Sequence, residues 1–175
     1  SYLFFCDNSQ DNVGIGGAPD SDARFHVTDD GSKSFTMLLE STDDDTNNGP
    51  ILALWRNSPG PVAGDDLGAI VWYMENSDGD RHLAGRIRTE ANNVTAGSED
   101  SRLYFSVLKG GTEVQTVAML YSEVVINQGS HDINFRVESD GNANMFTVDA
   151  GQDNIGIGGS PPATTERLFV TGTGT

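Results

Sequence analysis

Gln10-Asp11-Asn12-Val13-Gly14-Ile15-Gly16-Gly17 stands near one end of the chain, and Gln152-Asp153-Asn154-Ile155-Gly156-Ile157-Gly158-Gly159 near the other. The offset, 152 − 10 = 142 residues, also relates Phe4 and Asp7 to Phe146 and Asp149, and Pro19 to Pro161. Arg24-Phe25-His26-Val27 then answers to Arg167-Leu168-Phe169-Val170, one residue further out. Each copy reads as strand, tight turn and strand. In the first, Val13 and Ile15 lie on one strand face and Gly14 and Gly16 on the other. A face without side chains admits another strand or chain at close range. Two or three such short strands do not form a core alone. Their aliphatic side needs partners of its own kind, and a threefold axis supplies them.

Between the copies, alternating runs are separated by turn signals. Ser34–Glu40 and Pro50–Arg56 flank a polar loop at 41–49. Leu67–Glu75 and His82–Glu90 are joined by Asn76-Ser77-Asp78-Gly79-Asp80, a hairpin by the Asp-Gly rule. Ser101–Leu108 and Thr112–Tyr121 flank Lys109-Gly110-Gly111, a second hairpin. Glu123–Ile126, Asp132–Val137 and Met145–Asp149 follow. No segment keeps a 3.6-residue period, so helix is not expected. The expectation is an all-β chain: a β-sandwich or jelly-roll-like knob at 33–122, an N-terminal β connector at 1–32 and a C-terminal one at 123–175. The expected core face includes Leu52, Leu54, Ile70, Trp72, Leu83, Ile87, Leu103, Phe105, Val107 and Leu120. Ile51, Ala53 and Trp55 form a comparable apolar row opposite Leu52 and Leu54.

Composition narrows the function. With 26 acids against 10 bases the formal net charge is −16, which repels phosphate and opposes nucleic-acid binding and anionic membranes. No apolar run approaches the roughly 18 residues that a membrane-spanning helix needs. Glycine supplies 21 of 175 residues, against a usual share of about 7%. Much of the non-polar composition therefore has no side chain to bury, and core shared with other copies would help the chain fold. The one cysteine, Cys6, aligns with Val148 and reads as a small buried apolar residue. The chain opens at Ser1 without Met, which suggests processing or a piece of something longer.

At this point the residues resemble a known family. Asn12 to Gly17, then Pro19, then Phe25-His26-Val27 resembles an "NVGIGT…P…LHV" signature of bacteriophage tail-fibre proteins, as does Asn154 to Val170. Ala96 to Leu103 and the Leu108-Lys109-Gly110-Gly111 turn are similar to a pattern in fibres of marine phages. Asp132 to Glu138, with Met145 to Ala150, is similar to a stretch that precedes the glycine signature. The chain departs from the signature at Gly17 and Gly159, where the family usually has Thr. The resemblance implies a homotrimeric β-rich fibre on a virion, outside the cell. Its partners would be two identical chains, other virion or fibre proteins and a host surface glycan. Val13, Ile15, Phe25, Val27, Ile155, Ile157, Leu168 and Val170 would form the trimer interface.

Chemistry-bearing readings are weaker. Pro19 occupies the place of the third glycine of a dinucleotide fingerprint, and Gly31-Ser32-Lys33-Ser34 lacks the Gly-Lys pair of a phosphate loop. Asp43, Asp45 and Asn47 alternate, but Asn48 and Leu54 fill the sixth and twelfth places of an EF-hand, which require Gly and Glu. His26, His82 and His131 have no second ligand at zinc spacing. No Gly-x-Ser-x-Gly elbow is present, and acid pairs such as Asp65/Asp66 and Glu99/Asp100 fall in loops. The expectation is no catalytic residue, no metal and no cofactor. Aromatics Trp55, Trp72, Tyr73 and Tyr104 are the candidates for stacking on sugar rings. Trp72 and Tyr73 alternate, so one of them should face outward. The function read from all this is a structural and adhesive segment of a trimeric tail fibre. A glycan-cleaving tailspike domain, or the fibre of a non-viral filament or injection system, is the alternative.

Overall fold

The computed structural model describes residues 3–9, 11–29, 31, 35–42, 44, 46, 48–162 and 167–171. The chain is all-β: twelve strands in three sheets, and no helix among the described residues. It divides into two compact units, 1–53 and 54–175.

In the first unit, β1 (Phe4–Asp7), β2 (Asn12–Ile15) and β3 (Phe25–Val27) form one sheet in that order. The β1–β2 pair is antiparallel, with Phe4 opposite Ile15 and Cys6 opposite Val13. The β2–β3 pair is parallel, with Val13 opposite Phe25 and Ile15 opposite Val27. Residues directly opposite share a face. Phe4, Cys6, Val13, Ile15, Phe25 and Val27 therefore make one apolar surface. Parallel neighbours usually need a crossover of a dozen residues or more; this one has the nine residues Gly16 to Arg24.

Glycine makes the short crossover possible. A Cβ on Gly14 would stand 2.3 Å from the Gly17 carbonyl oxygen, and one on Gly16 2.3 Å from that of Thr28. Gly16 also has φ 83°, which a side chain would strain. The close approach expected at the glycine face is thus made by the chain's own returning loop rather than by another strand or chain. The Asn12 amide donates to the Asp20 carbonyl at 3.3 Å, the Asp20 N–H donates to His26 Nδ1 at 3.0 Å, and Arg24 donates to the Asp11 carbonyl at 3.2 Å.

The second unit opens with an antiparallel meander. Its strands are β4 (Asp66–Glu75), β5 (Arg81–Asn93), β6 (Asp100–Lys109), β7 (Thr112–Met119) and β8 (Val124–Ile126), in that order across the sheet. Both expected hairpins are present. Gly110 and Gly111 have φ 57° and 81° between the paired Lys109 and Thr112, the pattern of a two-residue turn matched to strand twist. Asn76 Oδ1 accepts from the N–H groups of Asp78 and Asp80 at 2.9 and 2.8 Å, which closes the other turn around Gly79. The meander gives one layer of the sandwich-like arrangement, and β8 pairs with it although Glu123–Ile126 reads from sequence as connector.

Residues 50–65 form no strand, and neither do the described residues of 35–40. Pro50, Pro59 and Pro61 cannot donate to a ladder, and Leu52 and Leu54 are exposed rather than in a core. Leu54 instead lies against the space beside Gly68.

The last sheet has the order β12-β11-β10-β9, from β9 (Phe135–Val137), β10 (Phe146–Asp149), β11 (Asn154–Ile157) and β12 (Leu168–Val170). It repeats the first sheet and adds a strand. Asp11 and Asp153 share φ 55° and 53°. A Cβ on Gly156 would meet the Gly159 oxygen at 2.4 Å and Pro161 Cδ at 2.7 Å. Asn154 donates to the Pro162 carbonyl at 3.4 Å and Arg167 to that of Asp153 at 2.8 Å.

Candidate interaction surface

Each sheet keeps one apolar face that the described residues of its own unit leave partly exposed. In the first unit Phe25 is exposed, and Val13, Ile15 and Val27 are half-buried. In the last sheet, Phe135, Val137, Phe146, Val148, Ile155, Ile157, Leu168 and Val170 share a face by register. Ile157, Leu168 and Val170 there are exposed, and Ile155 is half-buried. All eight residues read from sequence as interface thus lie on these two faces. Cys6 belongs to the first face but is exposed, against the expectation of a buried residue. Nothing in the described residues of its unit covers that side.

The meander follows the same rule on a larger scale. Ile70, Ile87 and Phe105 stand opposite one another, as do Phe105, Val117 and Ile126, and Leu103, Met119 and Val124. Trp72 stands opposite Gly85, whose missing side chain leaves room for the indole. The result is an open groove of about 450 Å³ lined by Trp72, Ile87, Phe105, Val107 and Val117. Ile70, Trp72 and Val107, expected in the core, are exposed in the chain, while Leu83, Ile87, Leu103, Phe105 and Leu120 are half-buried. The alternation groups these residues on one side, and the described residues of their own unit leave that side partly exposed. In the meander, the apolar residues buried outright among those described are Ala91, Tyr104, Val114 and Ala118.

The opposite face of the meander is polar and covers itself. Arg88 pairs with Asp66 and, at 3.2 Å, with Glu90; Arg102 reaches Glu90 at 3.3 Å; Arg86 reaches Glu113 at 2.8 Å. Arg88 also lies over the Tyr104 ring, 4.9 Å from its centroid. The stems of these residues bury the ring beneath them. Burial works to lower the Arg88 pKa, but the Asp66 hydrogen bond and the charges of Asp66 and Glu90 outweigh it, so the net shift is upward. For Arg102 a hydrogen bond to Tyr104 is the largest cause of an upward shift.

The aromatics read as a sugar-stacking group do not converge. Tyr104 is 6% exposed and on the face opposite Trp72, so it is a structural residue under Arg88. Trp72 is half exposed in the apolar groove, and Trp55 lies outside any strand with 82% of its surface exposed. Tyr73 sits at the bulge where β5 carries an extra residue, with Arg81 5.2 Å from its ring centroid. Sequence reasoning missed the arginine–carboxylate ladder. The signal was available in Arg86-Ile87-Arg88-Thr89-Glu90, where charged residues take every second place and uncharged ones stand between them. A polar cleft of about 500 Å³ also lies on the last sheet, lined by Asn134, Arg136, Glu138, Asn144, Thr147 and Asp149 among others. The Thr147 hydroxyl there is buried with no hydrogen-bond partner among the described residues.

Other sequence candidates have plain structural roles. His26 accepts the Asp20 N–H, and the Asn76 side chain engages His82 at 3.1 Å. Asp43, Asp45 and Asn47, and Ser32 to Ser34, lie outside the described residues. Among the described residues no three His, Cys, Asp or Glu side chains are grouped to hold a metal ion, and no helix is long and apolar enough to cross a membrane. No protein-family model matches the chain, and no curated protein matches it significantly.

Proposed function

We propose that this chain is a structural and adhesive segment of a homotrimeric viral tail fibre, in which its three apolar sheet faces are closed by two identical copies. The observation that carries the reading is surface left bare. Phe25, Ile70, Trp72, Val124, Leu168 and Val170 are all exposed on these faces rather than packed beneath described residues of their own units. Contiguous apolar faces of this extent mark interfaces rather than ordinary surface. The need for partners comes from these faces, and the number three comes from the tail-fibre resemblance. Closure between copies would also cover strand edges that otherwise invite aggregation. Three modest sugar-binding surfaces on one assembly would hold a host surface by avidity.

The test is the mass of the chain in solution by light scattering, beside an Ile87→Asp variant. A heat-resistant trimer that Ile87→Asp converts to monomer is the expected result; a soluble monomer for the unaltered chain overturns the proposal. Incubation with host capsule or lipopolysaccharide then separates adhesion from cleavage. Binding without shortening of the glycan fits the adhesive role, and shortening would assign a glycan-cleaving domain instead.

A further inference from the structure

The two glycine-signature sheets carry different residues opposite the same glycine. In the last sheet Thr147 on β10 stands between Arg136 on β9 and Gly156 on β11. At the 142-residue offset its counterpart is Phe5, opposite Gly14. The first copy thus sets a large aromatic residue at this place, and the last copy a small hydroxyl.

The polar cleft of about 500 Å³ opens at Thr147, within the range of about 300–1,000 Å³ usual for ligand sites. Asn134, Arg136 and Glu138 line it from β9 and the residues beside it. Pro161 lines it from the crossover that lies on Gly156. Asp149 and Asn144 complete the lining from β10 and the turn before it. Thr147 is only 6% exposed, and its hydroxyl is without a partner among the described residues. An unpaired buried hydroxyl costs free energy that a hydroxyl seated in the cleft would recover.

The lining selects its ligand by charge and by hydrogen-bonding role. Arg136, paired with Glu138, opposes a cation, and Glu138 with Asp149 opposes an anion. A neutral group that both donates and accepts suits the lining. Asn134 Oδ1 accepts the Ala150 N–H at 2.9 Å, which leaves its NH₂ to donate. Asp149 Oδ1 accepts from the N–H groups of Gly151 and Gln152, each at 3.1 Å, while Oδ2 takes a 3.4 Å contact from the Gln152 side chain. Oδ2 therefore keeps a lone pair for an incoming hydroxyl. A sugar ring offers hydroxyls that serve in both roles, and an apolar C–H edge for Pro161.

We propose that this cleft is a saccharide site for a neutral sugar unit. Its hydroxyls would donate to Asp149 and accept from Asn134 and Arg136, with Thr147 at the floor. The inference rests on the adhesive reading for the source of the sugar, a host surface glycan, and it moves the contact away from Trp72 and Tyr73.

The experiment applies the full chain, Thr147→Phe and Arg136→Met to an array of neutral and acidic glycans. Thr147→Phe gives the last sheet the residue that the first already carries opposite its glycine. Arg136→Met keeps the apolar stem of an exposed side chain and removes its donors. The unaltered chain should retain neutral glycans, Thr147→Phe should lose them, and Arg136→Met should bind them about tenfold more weakly. A retained glycan should also shift the side-chain amide NMR signals of Asn134 and Asn144 in the unaltered chain, a readout that holds even if Thr147→Phe does not fold. Binding that both variants keep, or that Trp72→Ala alone abolishes, overturns the cleft and leaves the adhesive reading standing. Retention of acidic glycans alone also overturns the cleft. An unaltered chain that retains no glycan overturns the cleft and the adhesive reading together.

Discussion

The meander and the glycine-signature sheets solve the same problem in different ways. Each leaves one face apolar and must cover the other. In the meander, long arginines and carboxylates lie flat over Tyr104 and cover the polar face with side chains. In the signature sheets the chain's own crossover lies on the strand and covers it with backbone. Side-chain cover tolerates rearrangement; backbone cover at 2.3–2.4 Å from a hypothetical Cβ does not. The meander is therefore expected to absorb substitution gradually, and the signature sheets to fail at single atoms.

The sharpest way to break this contrast is Gly156→Ala. Its methyl would displace Gly159 and Pro161, and overpacking of this kind costs about 3 kcal/mol. The expected readout is fast amide exchange at Ile155, which donates to Arg167 across β11–β12; an unchanged rate would refute backbone cover. Next comes Glu90→Gln, which leaves Arg88 and Arg102 short of a shared carboxylate. Breaking one partner of a partly buried ionic group should cost about 2 kcal/mol in urea unfolding. Arg88→Lys keeps the charge but gives up the planar contact with Tyr104, so a smaller loss of about 1 kcal/mol is expected.

The pH dependence sharpens the same point. Arg88 has a folded pKa above its ordinary value. Its stabilisation is therefore fully present below the unfolded pKa and is lost only as pH rises through the still higher folded value. The Arg88→Lys difference should accordingly stay flat in unfolding titrations from neutral pH to about 9, below the range in which either the guanidinium or the variant's ammonium loses its proton. The smallest effect belongs to Gly141→Ala, where a Cβ meets nothing within 4 Å. It should stay within about 0.5 kcal/mol of the parent, and a large loss there would show that glycine content as such, rather than close approach, stabilises the fold.

Much of the fold was legible because alternation and turn chemistry are local. Asp78-Gly79 and Gly110-Gly111 mark hairpins by φ alone, and the repeat located both signature sheets. What alternation does not encode is which face is covered. Ile70, Trp72 and Val107 lie on one side as grouped, yet all three are exposed among the described residues rather than buried in a core. Tyr104 was misread for the same reason: its cover is Arg88, a charged residue that local patterning assigns to solvent. Leu52 and Leu54 alternate like a strand, but an alternating segment bounded by proline needs a ladder partner that these residues do not have. At Gly14 and Gly156 the close approach was foreseen, but the approaching group is the chain's own backbone three to five residues on, at Gly17 and Pro19 or Gly159 and Pro161, and leaves no periodic trace.

Among the described residues, every hydrogen-bonded strand neighbour is also a neighbour in sequence: β1 to β3, β4 to β8 and β9 to β12 each close in chain order. Pairing of this local kind searches little conformational space, and low contact order goes with fast folding. The sheets can therefore form as the polypeptide emerges, ahead of any meeting with another chain. If the proposed closure by identical copies holds, the slow step is the meeting of chains, and the yield of assembly should depend on chain concentration rather than on the rate at which strands find one another.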